Sequence, residues 1–156
     1  GSQPDSDGVT RFIECHGPAT LKPVLADMSD MPDAVMTLAV VASLANGASI
    51  LRGVRTLRVK ESDRIAALTR ELAKVGVKID NPVSGDDDVL TINPPPGGIA
   101  THVGVEPVTF ETYDDHRMAM SLALIGLRRP GVTIRNPACV GKTYPDFWKH
   151  LAALYA

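Results

Sequence analysis

The chain has 156 residues, of which 44% are hydrophobic and 22% are charged, a composition typical of a globular domain with a buried core and not of a disordered chain. Lys and Arg together number 16 against 18 Asp and Glu, so the formal net charge of −2 provides no basic excess for binding a nucleic acid or an anionic membrane. The longest apolar stretch, residues 36–51, is too short and too often interrupted by polar residues to predict a transmembrane helix.

The start of the chain and its cysteines limit what can be expected of processing and metal binding. Residues 1–8 carry neither the basic nor the apolar segment of a secretion signal, and we expect them to be a cloning remnant or a disordered N-terminus before residues 9–156. Cys15 and Cys139 are far apart and, like the histidines, lie in no metal-ligand spacing. The sequence therefore predicts no disulfide scaffold, no metal site and a cytoplasmic location.

In chain order, strand-like segments alternate with helix-like segments. Strands are predicted at residues 11–13, 21–25, 48–54, 78–81, 89–93, 108–112 and 132–135. Helices are predicted at residues 30–45, 65–75, 115–127 and from 143 onward. The capping residues that mark three of these starts are Asp30, then Asp114 or Asp115, and finally Thr143 with Asp146 as a capping box. The first and third helices are apolar on most sides, which predicts that they are buried.

The first and third helices also resemble each other in sequence. When the sequence is shifted by 84 positions, identical residues coincide in the helix and in the strand that follows it. The matched pairs are Asp30 with Asp114, Met36 with Met120, Leu38 with Leu122, Ala39 with Ala123, Gly47 with Gly131 and Ile50 with Ile134. The pattern predicts a duplicated helix–strand unit. The alternative is that two buried helices share Met, Leu and Ala by chance, and the matching glycine favours duplication.

Cationic residues stand at three of the predicted helix starts, where the positive end of the helix dipole disfavours them unless an anion shares the site. They are Lys60 and Arg64 at the second helix, His116 and Arg117 at the third, and Lys142 before the fourth. Backbone N–H groups combined with a guanidinium or ammonium group bind phosphates and carboxylates. The pattern therefore predicts a site for a small ligand with several negative charges. The alternative is that each cation pairs, on a solvated face, with a neighbouring acid such as Glu61, Asp63 or Asp115.

Residues 136–143 resemble the end of a nucleotide-binding P-loop. Asn136 stands where that loop requires its first glycine, and Pro137 removes one of the N–H groups that would bind phosphate. We therefore expect no nucleoside triphosphatase activity, while Lys142 stays a candidate for anion binding.

Two acidic residues near these cations are candidates for proton transfer. Asp33 falls in the first turn of an apolar helix, where burial would raise the pKa of its carboxyl group and nearby cations would lower it. Glu61 adjoins Lys60. For Asp33 the alternative is ordinary helix capping.

Four motifs together resemble the 5-enolpyruvylshikimate-3-phosphate synthase family. They are residues 31–37 (MPDAVMT), 57–65 (LRVKESDRI), 113–120 (YDDHRMAM) and 140–147 (VGKTYPDF), and they follow each other in the order of the family. The resemblance implies an α/β (α+β) fold, the enolpyruvyl transferase fold, in which repeated βαβαββ units place helices inside and sheets outside. Full members are far longer, and the Lys-Ser and Ser-Ser-Gln motifs of the family's first domain have no counterpart here. Residues 9–156 are therefore expected to be the C-terminal portion of the second domain, about two of its three units.

The resemblance also implies a reaction. The enolpyruvyl group of phosphoenolpyruvate would be transferred to the 5-hydroxyl of shikimate 3-phosphate, with release of phosphate and without a metal or an organic cofactor. By motif match, Asp33 corresponds to the base facing the shikimate hydroxyls and Glu61 to a proton-transfer residue at the enol carbon. Lys60 matches a contact of shikimate 3-phosphate to which a proton-carrying role has also been assigned.

The remaining matched residues are implied to bind the substrates. The cations that hold the phosphate and carboxylate of phosphoenolpyruvate correspond to Arg64, Arg117 and Lys142, with His116 beside them. Thr56 stands where the family often has an asparagine in contact with shikimate 3-phosphate. The implied partner is the missing N-terminal domain, without which we expect the chain to be inactive.

Two other functions stay open at this point. An enolpyruvyl transferase acting on UDP-N-acetylglucosamine would share the fold and the donor, although the Lys-Glu-Ser-Asp-Arg and Asp-Asp-His-Arg motifs favour the shikimate enzyme. A non-catalytic phosphate-binding fragment is the alternative from another class, because one wall of a cleft cannot close over its substrate.

Overall fold

The computed structural model describes residues 16–80, 87–99 and 105–155. The predicted strand at residues 11–13 and the expected domain start at residue 9 lie outside the described residues. In the part of the chain that is described, every helix lacks the length or the apolarity that spanning a membrane requires.

The first unit consists of a strand, a helix and a second strand parallel to the first. β1 spans Leu25–Asp27, and β2 spans Ser49–Arg52. Between them, a 3-10 helix at Pro32–Ala34 leads into α1, Val35–Ala42. A crossover is required here, because two parallel strands both start at the same edge of the sheet.

The middle of the chain completes the first sheet. A 3-10 helix at Arg55–Val59 precedes α2, Arg64–Ala73, and α2 begins where the Asp63 carboxylate accepts a backbone N–H. β3, Lys78–Asp80, and β4, Val89–Asn93, then form an antiparallel pair. The four-stranded sheet has the order β1-β2-β4-β3, and β4 is antiparallel to β2.

The second unit repeats the element order of the first. β5, Val108–Phe110, and β6, Val132–Ile134, pair in parallel in a sheet of their own. The connecting helix α3 spans His116–Ala123 and continues as a 3-10 helix at Leu124–Leu127. Of the two predicted capping residues, Asp115 is the one that accepts a backbone N–H at the start of α3.

α1 and α3 pack against each other in the core, while the strands lie outside them. The members of these helices with no exposed surface are Val35, Met36, Ala39 and Val40 of α1 and Met118, Ala119 and Leu122 of α3. Complete burial stabilises each of the larger side chains by roughly 1.5–3 kcal/mol. That gain explains why α1 forms although it has no side-chain cap. The predicted α/β fold with buried helices and outer sheets is confirmed.

The predicted start of the first helix is wrong. The backbone N–H of Met31 donates to the carbonyl of Met28 at 3.0 Å, so Asp30 lies in a four-residue turn before the helix and caps nothing. The helix itself begins at Val35, after one 3-10 turn.

The predicted capping box at Thr143 is also wrong. Residues Pro137–Lys142 form a 3-10 helix, and the N–H of Thr143 donates to the carbonyl of Val140 at 3.0 Å. Thr143 therefore ends one helix instead of starting the next. α4 spans Phe147–Ala152, and a last 3-10 turn follows at Ala153–Tyr155.

Candidate functional site

Arg64 lies at the centre of the polar residues that the sequence predicts to be functional. It is the first residue of α2, and its side chain is only 1% exposed. Its guanidinium donates from Nε to Asp115 (2.7 Å), from Nη2 to Glu61 (2.8 Å) and from Nη1 to Asp33 (3.3 Å). Burial acts to lower the pKa of this guanidinium, but the hydrogen bond and the charge of Asp115 outweigh burial, and the pKa is raised. Arg64 is therefore a buried cation that ties three acids together.

Asp115 is the innermost of these acids, with no exposed side-chain surface. Its Oδ1 accepts the backbone N–H of Arg117 at 2.9 Å, which caps α3, and its Oδ2 accepts the Ser62 hydroxyl at 3.3 Å. Burial acts to raise the pKa of Asp115, but the hydrogen bonds from Arg64 and from the Arg117 backbone outweigh it, and the pKa is lowered. Asp115 therefore stays ionised at neutral pH and fixes the first turn of α3.

Asp33 is the point at which cations from three elements meet. It lies in the 3-10 helix before α1, and its side chain is 49% exposed. Arg117 donates from Nη2 to Oδ2 at 2.8 Å, and Lys60 Nζ lies 4.0 Å from Oδ1, the oxygen that also accepts from Arg64. One half-exposed carboxylate thus links α1, α2 and α3.

Glu61, His116 and Lys142 flank this cluster. The pKa of Glu61 is lowered by a hydrogen bond from its own backbone N–H and by the charges of Arg64 and Lys142, against the effect of desolvation. His116 is 5% exposed, and burial, together with the charges of Lys142 and Arg117, lowers the pKa of its ring. Within the described residues, Nδ1 of His116 has no hydrogen-bond partner. Lys142 ends the 3-10 helix Pro137–Lys142, which contacts α3, and its charge acts on the pKa of both Glu61 and His116.

The structure brings together all the residues predicted for the site except Thr56. Thr56 is exposed in the 3-10 helix Arg55–Val59 and, in the part of the chain described, makes no hydrogen bond to the others. Arg64, His116 and Arg117 do stand in the first turns of α2 and α3. Lys142 reaches the site from the end of a 3-10 helix, so the prediction that it precedes a helix start is wrong.

Ion pairs of the kind expected by the alternative interpretation do form, but one of them is buried. Arg64 pairs with the buried Asp115 and also with Glu61, whose side chain is 42% exposed. Asp63 pairs only at 3.8 Å, with Arg58. Burying both partners of the pair between Arg64 and Asp115 costs desolvation free energy that a surface pair avoids. Stability alone therefore does not explain the arrangement.

Asp115 is not among the predicted site residues, although the sequence suggests it as a helix cap and as a partner for a cation, and the structure shows it in both roles at the centre of the site. The available signal was its position directly before His116 and Arg117, where a carboxylate can cap the helix and bind a cation from another element at once.

The site lies on an open face of the molecule. A recess of about 490 Å³ lies elsewhere, lined by residues 44–47 and 94–98, none of which is a predicted site residue. The side chains of Lys60, Asp33 and Arg117 are 34%, 49% and 31% exposed. Among the residues that the structure describes, no three His, Cys, Asp or Glu side chains are grouped so as to hold a metal ion. A ligand at this face would be enclosed on one side only.

Known proteins resemble the chain in sequence. A 3-phosphoshikimate 1-carboxyvinyltransferase from Trichormus variabilis is 40% identical over 137 residues, which cover 88% of this chain and 29% of that protein. The enzyme of the same name from Burkholderia multivorans is 43% identical over 139 residues, covering 89% of this chain and 30% of that protein. The chain thus spans less than a third of the length of these relatives.

Solved structures resemble the chain in fold. EPSP synthase from Acinetobacter baumannii matches with a TM-score of 0.68 and 31% identity, covering 83% of this chain and 29% of that one. The enolpyruvyl transferase NikO from Streptomyces tendae matches with a TM-score of 0.60 and 26% identity, covering 89% of this chain and 29% of that one. The family model for EPSP synthase (3-phosphoshikimate 1-carboxyvinyltransferase) matches residues 5–151. Because that match covers nearly the whole sequence, the chain belongs to the EPSP synthase family.

Proposed function

We propose that the chain is part of an enzyme that transfers the enolpyruvyl group of phosphoenolpyruvate to the 5-hydroxyl of shikimate 3-phosphate and releases phosphate. Besides family membership, one observation supports this proposal. Cations of α2 and α3 pair with two partly exposed carboxylates, Asp33 and Glu61, on one open face, and the charge of Lys142 acts on Glu61. The proposal includes a partner, the remainder of such an enzyme, and a cytoplasmic location.

The proposed reaction proceeds by addition and elimination. In the addition, C3 of phosphoenolpyruvate accepts a proton, the acceptor hydroxyl loses one, and its oxygen bonds to C2. In the elimination, the bond from C2 to the phosphate oxygen breaks while C3 gives up a proton and the double bond forms again. Each step requires a proton donor and a proton acceptor beside the same two carbons.

Asp33, Lys60 and Glu61 provide these proton-transfer groups in the proposal. Asp33 is a half-exposed carboxylate and accepts the proton of the hydroxyl. Because the pKa of Glu61 is lowered, this residue is suited to remove the proton from C3 in the elimination and not to donate one in the addition. The partly exposed ammonium group of Lys60 is then the donor to C3.

Arg117, Lys142 and His116 hold phosphoenolpyruvate in the proposal. Arg117 and Lys142 are accessible cations that suit a ligand carrying both a phosphate and a carboxylate. The lowered pKa of His116 keeps its ring neutral at pH 7, so a ring nitrogen can accept or donate a hydrogen bond without adding charge. Arg64 is buried among three acids and acts mainly by holding Glu61 and Asp33 in place.

A chimera tests the proposal. We would replace the aligned 139-residue segment of the Burkholderia multivorans enzyme with this chain and measure phosphate release from phosphoenolpyruvate and shikimate 3-phosphate. We expect release that requires both substrates, and none from the chain alone. A folded chimera without activity would contradict the proposal, and turnover by the isolated chain would contradict the need for a partner.

Substitutions in the chimera separate the roles. Arg117→Ala or Lys142→Ala should raise the KM for phosphoenolpyruvate about tenfold or more, the effect of losing one charged contact, with a smaller change for shikimate 3-phosphate. Asp33→Asn should lower kcat more than it changes either KM. Arg135→Ala is the matched control, because Arg135 is an exposed cation that pairs with Glu111 and not with a candidate site residue. Equal losses for both substrates would reject the assignment of Arg117 and Lys142.

The resemblance to NikO favours a second candidate, an enolpyruvyl transferase with a different acceptor. Offering UDP-N-acetylglucosamine instead of shikimate 3-phosphate to the chimera distinguishes the two, since only the true acceptor supports phosphate release. The open face favours a third candidate, a non-catalytic phosphate-binding fragment, which predicts phosphate binding by the chain and an inactive chimera.

A further inference from the structure

The turn that leads into α3 has an unusual backbone. The N–H of Asp115 donates to the carbonyl of Thr112 at 2.9 Å and closes a four-residue turn. Its two central residues, Tyr113 and Asp114, have φ values of +55° and +56°. This left-handed conformation is costly for residues that carry a side chain, above all for a bulky aromatic one, and it persists only where neighbours hold it.

A buried carboxylate holds the first of these two residues. The hydroxyl of Tyr113 donates to Oε1 of Glu71 at 2.7 Å, and the backbone N–H of Glu111 donates to Oε2 at 2.9 Å. Glu71 lies on α2 and has no exposed surface. Burial and the hydrogen bond to Glu71 raise the pKa of Tyr113, so its hydroxyl keeps its proton and stays the donor.

Two neighbours complete this arrangement on the solvent side. Lys74 donates to Oε2 of Glu71 and also to the carbonyl of Thr109, which neutralises the buried charge. Arg70 donates to the Tyr113 hydroxyl at 3.1 Å and lies 5.6 Å from the centre of its ring. Residues of α2, together with Lys74 directly after it, thus form hydrogen bonds both to the end of β5 and to the turn that follows it.

The second residue of the turn is held from the other direction. The Asn136 side chain donates from Nδ2 to Oδ1 of Asp114 at 2.9 Å, and Asn136 itself has a φ of +49°. Asn136 directly precedes the 3-10 helix that ends at Lys142. The turn is therefore held at both central residues, by Glu71 of α2 and by Asn136.

We propose that Glu71 is a positioning residue that, through the Tyr113 hydroxyl and the Glu111 N–H, holds the left-handed turn and so sets where α3 presents His116 and Arg117. The position of the turn determines the positions of the next three residues along the chain. Asp115 caps α3 and binds Arg64, His116 is buried beside it, and Arg117 reaches Asp33. The anion-binding purpose of this placement rests on the proposed function, whereas the placement itself does not.

The experiment uses the full chain with Tyr113→Phe and, separately, Glu71→Gln. NMR follows the titration of the His116 ring in the folded state, and titrations with phosphoenolpyruvate and with inorganic phosphate give the Kd of each. We expect the His116 midpoint to rise toward its ordinary value, because a loosened turn admits water to the ring. We also expect the Kd for phosphoenolpyruvate to rise about fivefold or more, since the direction of Arg117 changes. The charged groups that face His116, namely Asp115, Lys142, Arg117 and Glu61, are unaltered in both variants.

The matched control is Glu111→Gln. It neutralises a partly exposed carboxylate that pairs with Arg135 at 2.8 Å, while the Glu111 N–H that reaches Glu71 is kept. We expect this variant to behave as the parent chain in both measurements. A merely structural role of Glu71 would lower the melting temperature without moving the His116 midpoint or the Kd.

The results for the two variants decide whether Glu71 positions α3. A folded Tyr113→Phe chain with the parent's His116 midpoint and Kd would overturn it. Loss of folding in both variants would overturn it too, because Glu71 would then act on the stability of the whole domain. If the parent chain binds neither anion while Tyr113→Phe still shifts His116, the anion-binding purpose fails for the isolated chain and the positioning role stands, while the chimera alone decides the proposed function.

Discussion

The two units β1-α1-β2 and β5-α3-β6 share their element order, but their entrance turns differ. The turn Met28–Met31 precedes α1 and the turn Thr112–Asp115 precedes α3, each closed by a hydrogen bond between its terminal residues, at 3.0 and 2.9 Å. Among the described residues, the non-glycine residues with positive φ are Tyr113 and Asp114, in the second unit, and Asn136, just after it. The first unit uses a relaxed turn, and the second has a strained one, held by the buried Glu71 and the exposed Asn136.

The difference between the two turns corresponds to the residues that each turn positions. The first turn leads to Asp33, whose half-exposed carboxylate receives its partners from other elements. The second turn leads to Asp115, His116 and Arg117, three side chains that must point in three defined directions. The unit that carries more of the candidate site is thus also the one with the strained turn.

Equivalent residues of the two units touch each other. Asp33 and Arg117, which are 84 positions apart, form an ion pair at 2.8 Å, and Thr37 and Ser121, also 84 apart, form a hydrogen bond at 3.2 Å. Such contacts arise where two related units pack around a common axis, and they support the duplication predicted from sequence. Because one equivalent position holds an acid and the other a cation, the contact between the two units has mixed charge.

The largest effect is expected at the residue that joins the two units. Arg64→Met keeps the length of the side chain but leaves the buried Asp115 without its cation, which should lower the free energy of unfolding by about 3–5 kcal/mol. Urea unfolding measures this loss. The matched control is Arg55→Met, whose partner Asp87 is 51% exposed while Arg55 is 65% exposed; its expected loss is below about 1 kcal/mol. Similar losses for the two variants would show that the buried pair does not hold the units together.

The order of strands and helices was predictable because it depends on local patterns. The alternation of apolar and polar residues identified β4 and β6 within one residue of their observed bounds, and the apolar faces of α1 and α3 predicted their burial. Helix starts were less predictable. Asp30 and Thr143 have the chemistry of capping residues, but hydrogen bonds to Met28 and Val140 place them in a turn and at a helix end.

The candidate site was predictable as a set of residues but not as a geometry. Motifs and helix starts identified Arg64, Arg117 and Asp33. Asp33 pairs with cations that lie far from it in sequence. Local sequence patterns do not predict such long-range contacts. The buried position of Glu71 was hidden for the same reason, since its partners lie around residue 111.

A glycine directly after the first unit has no room for a side chain. Gly53, just after β2, has a φ of +73°, and a Cβ there would lie 2.5 Å from Ser29 in the entrance turn. Gly53→Ala should therefore cost about 3 kcal/mol from steric overlap and left-handed strain together. Gly97→Ala isolates the strain, because Gly97 has a φ of +82° and no atom within 4 Å of its built Cβ, and it should cost about 1 kcal/mol. If both cost the same in thermal unfolding, the close approach to Ser29 does not matter.

The pH dependence of stability should also distinguish the units. Burial lowers the pKa of His116, so the unfolded chain, with a histidine pKa of about 6.5, binds a proton that the folded chain does not. Stability should therefore fall as the pH drops below about 7, by about 1.4 kcal/mol for each unit of difference between the two pKa values. Urea unfolding between about pH 7 and 5 should show that His116→Gln removes this loss of stability. A separate loss below about pH 4, caused by the lowered pKa of Asp115, should remain in the variant. Position 32, the equivalent in the first unit, is a proline and does not titrate. An unchanged slope in His116→Gln would mean that another group is responsible.

The smallest effect tests the contact between equivalent residues directly. In a double-mutant cycle, Thr37→Val and Ser121→Ala should be non-additive by about 0.5–1 kcal/mol, because either change alone already breaks their 3.2 Å hydrogen bond. The control cycle combines Ser121→Ala with Thr69→Val, since the hydroxyl of Thr69 bonds within α2, to the Ile65 carbonyl, in the part of the chain that the structure describes; that pair should be additive. Additivity in both cycles would mean that apolar packing alone holds α1 against α3, and that the polar contact between equivalent positions contributes nothing to the association of the two units.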